Sequence, residues 1–127
     1  MDESAPEFVI RLTDVTLSPN ELESAIGIGL DRFEPSQQGS LHDAQISMSE
    51  TGDQWQDVVE FLKVVGPRIA NLIRHKLVGS VSMEFEIFVL EEGTAPLLAR
   101  IPAQVASLAG QNLMDIELTY YRLFRRS

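Results

Sequence analysis

The chain has 127 residues, 44% of them hydrophobic and 23% charged, with no cysteine and a formal net charge of −9. That length and composition fit one ordinary globular domain and exclude low-complexity or collagen-like architecture. The missing cysteines exclude a disulfide scaffold, a thiolate nucleophile and a Cys-ligated metal centre, and the acidic balance argues against nucleic acid as a partner.

In chain order, Phe8, Ile10 and Leu12 alternate with Val9, Arg11 and Thr13, which predicts a first strand with one buried face. Ser18-Pro19-Asn20-Glu21 reads as a helix start: Ser18 caps, Pro19 suits the first helical position and Glu21 completes a capping box. Leu22, Ala25 and Ile26 give that helix its apolar face, and Gly27 or Gly29 stops it. Residues 31–40, punctuated by Pro35 and Gly39, read as a long loop. Ala44, Ile46 and Met48 predict a second, weaker strand, followed by a turn over Ser49–Asp53. Val58, Leu62, Val65, Ile69, Leu72 and Ile73 recur at helical spacing, and Gly66-Pro67 predicts a kink or two consecutive helices.

Val81, Met83, Phe85, Ile87 and Val89 alternate with Ser82, Glu84, Glu86 and Phe88, the clearest strand in the chain. Glu91–Thr94 reads as a turn returning through a hairpin partner over Leu97–Ile101, then a short helix from Pro102 to Ala109 closed by Gly110. Met114, Ile116, Leu118 and Tyr120 alternate as the last strand. The expected fold is a single α+β domain over 1–127: a two-layer sandwich with a mainly antiparallel sheet, helices on one face, and the order β-α-β-α-β-β-α-β. Residues 1–6 and 122–127 are expected to fray.

The Phe8-Val9-Ile10 strand, the Leu17–Leu22 helix start, Ile26-Gly27-Ile28, Trp55 and the closing Asp115–Tyr120 strand resemble a small bacterial α+β family known only as a domain of unknown function. The resemblance spans about Phe8 to Tyr121 and rests on fold-bearing residues. Compact acidic domains of this kind serve as immunity proteins in bacterial toxin systems, so the resemblance implies a binding role and transfers no catalytic residue.

The residues point the same way. His42 and His75 lie in different predicted elements, with Arg74 and Lys76 flanking the latter, so no metal site is expected. Gly27-Ile28-Gly29 follows a helix instead of opening one, unlike a phosphate loop. No GxSxG or SxxK pattern is present, and no cofactor is expected. Glu84 and Glu86 share one face of their strand, as do Asp115 and Glu117 of the last, giving four acids on an open face if those strands are close. Such groups opposite the apolar face read first as a solvated surface and only second as acid–base machinery.

Asp53, Asp57 and Glu60, at i, i+4 and i+7, form an acidic ridge that either complements the helix dipole or meets a basic partner. Trp55 and Phe61 nearby are either binding anchors or core. Residues 1–62 hold thirteen acidic side chains and two basic ones, while residues 63–127 hold six and eight. The expectation is therefore a non-enzymatic immunity protein whose acidic surface binds a toxin with a basic face. Partner contacts are expected at Asp53, Trp55, Asp57 and Glu60, with Glu84 and Glu86 as the competing patch. The alternative is a small-ligand or regulatory domain, as a monomer or homodimer, using the sheet face or the 31–40 segment. No apolar run approaches the roughly 18 residues of a membrane span, and Met1-Asp2-Glu3 lacks the charge of a signal peptide, so a cytoplasmic location without a membrane is expected.

Overall fold

The alternation through Ile10 and Leu12 makes one side of β1 (Glu7–Val15) apolar, and this strand becomes the centre of the sheet. The computed structural model describes residues 7–35, 41–47, 54–90 and 100–123. After β1 come α1 (Pro19–Ile26), β2 (Arg32–Pro35), β3 (His42–Ser47), α2 (Gln54–Val64), α3 (Gly66–Arg74), β4 (Ser80–Leu90), α4 (Ala103–Gln111) and β5 (Asp115–Leu123). The strands form one sheet in the order β2-β3-β1-β4-β5. Three ladders are antiparallel, whereas β4 and β5 run parallel and connect through α4. The fold is α+β with a mixed sheet.

Register explains which face is buried. Ile10 lies between Ile46 and Met83, and Leu12 between Ala44 and Val81; Met83 is followed by Ile116 on β5. These rows, with Phe85, pack against Leu22 and Ile26 of α1, Val58 and Leu62 of α2, Ile69 of α3 and Val105 and Ala109 of α4. A bulge between Leu12 and Val15 shifts the phase of β1 so that Val15 is buried too. Asp14 takes the left-handed conformation there (φ 54°), and a Cβ on the neighbouring Gly79 would come within 2.8 Å of the Asp14 Cβ.

The helix ends follow local chemistry. Ser18 Oγ accepts from the Glu21 amide while the Glu21 carboxylate accepts from the Ser18 amide, and these bonds hold the Glu21 carboxyl below its ordinary value. Gly27 ends α1 with φ 82°. Pro67 lacks the amide that would continue α2 into α3, so the chain forms two helices. The buried Asn112 side chain closes that break by donating to the carbonyls of Leu62 (3.2 Å) and Leu108 (2.9 Å). Gly66 is required beside it, because a Cβ would lie 2.6 Å from the Asn112 amide nitrogen.

Four expectations are corrected. The segment 31–40 contains β2, a four-residue edge strand whose pairing runs from Arg32–Gln45 to Pro35–His42. Proline is compatible with an edge strand because no outer neighbour needs its missing amide hydrogen. Arg100 and Ile101 are not in a strand, and the neighbour of β4 on that side is β5; Leu97, Leu98 and Ala99 lie outside the described residues. The last helix passes through Gly110 and ends at Asn112. There Met114 N–H bonds to Ala109 O and Leu113 N–H to Gly110 O, a Schellman closure with Leu113 in the left-handed position (φ 62°). Finally, Arg122 and Leu123 pair with Val89 and Leu90 of β4 instead of fraying. The turns expected at 49–53 and 91–94 and the ends 1–6 and 124–127 lie outside the described residues. No helix among the described residues is long and apolar enough to cross a membrane.

Candidate functional site

Every second residue of the central strands leaves the core and faces away from the helices. Arg11 pairs with Ser82, which pairs with Asp115; Val9 pairs with Glu84, which pairs with Glu117; Glu86 pairs with Thr119. The parallel β4–β5 ladder thus brings Glu84, Glu86, Asp115 and Glu117 together on one side of the sheet. Asp115 and Glu117 are exposed, and Glu86 is half-buried. Glu84 is also half-buried, with 18% of its side chain exposed, and it takes an ion pair from Arg11 Nη2 at 3.1 Å.

Burial raises the Glu84 carboxyl above its ordinary value; the Arg11 charge opposes that rise, while a hydrogen bond with Glu117 and the negative charges of Glu117 and Glu86 reinforce it. Chemically this is a crowded acidic patch that favours an additional positive charge. Among the described residues, no group of three or more His, Asp or Glu side chains is arranged to hold a metal ion.

The ridge on α2 is a separate surface. Glu60 is exposed and accepts from Gln56 Nε2 at 3.0 Å, and Asp57 is half-buried with a partner of its own; Asp53 lies outside the described residues. Trp55 is half-buried with its ring against Phe85, centroids 5.6 Å apart, and Phe61 is buried in the core. Since Phe85 and Glu84 point to opposite sides of β4, the ridge and the sheet patch cannot form one contact surface. His42 packs its ring on Phe33 with centroids 4.9 Å apart and its Nδ1 unbonded, and the exposed His75 places Nδ1 2.8 Å from the Asn71 carbonyl.

A second feature of the same face was not singled out by sequence reasoning. Arg32, Gln45 and Arg11 are consecutive partners across β2, β3 and β1, and Glu34 pairs with Asp43 in the adjacent row. These five side chains, with Ala44, line an open depression of about 180 Å³. Several local bonds place Arg32 there. The Glu23 carboxylate accepts from Leu30 N–H, Asp31 N–H bonds to Gln45 O at 2.7 Å, and Ser47 Oγ donates to the Asp31 carboxylate at 2.9 Å. The alternation of β1 already put Arg11 opposite Ile10 and Leu12; Arg32 carried no such signal, because its four-residue strand has too few positions to show a period. Comparison with family models, with curated proteins and with solved structures gives no match.

Proposed function

We propose that the chain is a non-enzymatic binding protein that presents the acidic half of the sheet face turned away from the helices to a protein partner with a basic surface. The observation that carries this reading is the convergence of Glu84, Glu86, Asp115 and Glu117 from two adjacent strands on the side of the sheet away from the helices. Arg11 neutralises only part of that charge. Negative potential concentrated on one face accelerates encounter with a basic patch and orients it. The specific form of the proposal is an immunity protein acting in the cytoplasm, occluding the basic substrate site of a cognate toxin. The −9 net charge supports that form. The sheet patch ranks ahead of the α2 ridge because four carboxylates meet there against the single Arg11 guanidinium, whereas the described part of the ridge offers Asp57 and Glu60.

The test uses three baits in parallel pull-downs from the native organism: the wild type, Glu84→Lys/Glu86→Lys, and Asp57→Lys/Glu60→Lys. A basic protein retained by wild type and by the helix variant but lost by the sheet variant is the expected result. The captured protein should also arrest growth when expressed alone and cease to do so when co-expressed with this chain. Loss with the helix variant alone moves the contact to the ridge, and a partner indifferent to both substitutions overturns the electrostatic reading. If the captured protein is harmless alone, the immunity form fails.

A further inference from the structure

Residues 1–62 contain only two basic side chains, Arg11 and Arg32, and the fold brings both to the same depression, on either side of Gln45. We infer that this depression binds a small zwitterion whose carboxylate and ammonium groups lie about 7 Å apart, as in a dipeptide or an ω-amino acid.

The cationic end is under-used by the protein itself. Arg11 directs Nη2 to Glu84 and remains 48% exposed, while Arg32 is exposed and makes no ion pair with a described carboxylate. A guanidinium has five N–H donors in a planar fork suited to a carboxylate, so two of them flanking the half-buried Gln45 amide offer more donors than the fold consumes. The anionic end lies in the next row on the same face. Glu34 and Asp43 are two residues along β2 and β3 from Arg32 and Gln45, a displacement of about 6.8 Å at the antiparallel rise. Two residues of extended peptide span about 7 Å, so the backbone spacing of the two rows is close to the length of a dipeptide and exceeds the separation within a single α-amino acid. The volume of about 180 Å³ is below the roughly 300–1,000 Å³ of drug-sized sites, which suits a ligand of this scale.

The mixed lining also provides selectivity. A simple anion drawn to Arg11 and Arg32 meets repulsion from Glu34 and Asp43, and a simple cation meets the reverse. Only a molecule carrying both signs at the right spacing satisfies the two rows together. This site uses the β2–β3–β1 half of the sheet and adjoins the partner contact proposed on β4 and β5 through the Arg11–Glu84 ion pair.

The experiment is a titration of the uniformly ¹⁵N-labelled chain at low ionic strength with glycylglycine, acetate, methylammonium and inorganic phosphate as separate probes. Glycylglycine is expected to shift the amides of Arg11, Arg32, Glu34, Asp43 and Gln45 saturably, and more tightly than any of the other three. Arg32→Gln and Glu34→Gln, both at exposed positions, should each weaken glycylglycine by about tenfold or more while leaving amide positions elsewhere unchanged. Phosphate or acetate binding as tightly as glycylglycine overturns the zwitterion in favour of an anion site. Absence of saturable shifts in these five amides, or binding unaffected by Arg32→Gln, overturns the site itself.

Discussion

The two sides of the sheet are built from the same strands and obey different rules. Phe85 and Glu84 are chain neighbours, yet Phe85 has no exposed surface and touches Trp55, while Glu84 meets Arg11 and Glu117 at the edge of solvent. On the covered side, fit decides energy, because each apolar group is surrounded and has no alternative partner. On the uncovered side, charges keep access to water, so removing one changes folding little and recognition much. The contrast teaches that the acidity of this chain is not spread evenly over a sphere: the packing of one face forces the alternate residues, and with them the carboxylates of β4 and β5, onto the other.

The strongest way to break that comparison is Phe85→Ala. Phe85 is the largest fully buried side chain among the described residues, and its removal is expected to cost about 3–5 kcal/mol, read as a lower urea midpoint with unchanged slope. Glu84→Ala should stay within about 0.5 kcal/mol. Similar losses at the two positions would mean that the faces do not differ as described.

Next in size is Gly66→Ala. The added methyl group would press on the Asn112 amide that closes the α2–α3 break, so a loss of about 1–3 kcal/mol is expected. Pairing it with Asn112→Ala separates the causes. The double variant should lose less than the sum of the singles, since removing the amide makes room for the methyl group. Strict additivity would show that the close approach is not the source of the cost.

Leu113→Gly should act in the opposite direction. Leu113 holds a left-handed conformation at the turn that feeds β5 and is 46% exposed, so little packing is lost and the backbone is relieved. A gain of about 0.5–1 kcal/mol in thermal or urea unfolding is expected. A loss would show that the leucine side chain holds the turn more strongly than the backbone resists it.

These positions also mark what the sequence could reveal. The β1 and β4 faces, the Ser18 capping box and the Gly66-Pro67 break were legible because each is a local pattern of side-chain period or backbone chemistry. Strand β2 was not, since Arg32–Pro35 is too short for alternation and ends in a proline that reads as loop until its edge position is known. The end of α4 misled for a physical reason: Gly110 is the usual stop residue, but the reversal falls at Leu113, which carries a conformational penalty that no composition rule anticipates. The acidic pair on β4 and that on β5 could each be seen in the alternation; that the strands lie side by side and parallel depends on the α4 crossover. The meeting of Arg11 with Arg32 depends on β2 and was therefore hidden with it.

The smallest and most discriminating effect belongs to Glu84 itself. Its carboxyl is raised by burial and by the neighbouring acids despite Arg11, so the folded chain holds that proton more tightly than the unfolded chain does. Its stabilising contribution is fully present below the ordinary carboxylate value and is lost as pH rises through the raised one. Glu84→Gln, neutral at every pH, should therefore lie close to wild type in acid and become the more stable of the two toward neutrality, by less than about 1 kcal/mol. Arg11→Gln removes the one charge that opposes the rise, so it should move the wild-type transition to higher pH. Urea unfolding across the carboxylate range measures both. If wild type instead gains on Glu84→Gln as pH rises, the ion pair with Arg11 outweighs burial, and this part of the sheet is a satisfied pair with little remaining demand for positive charge.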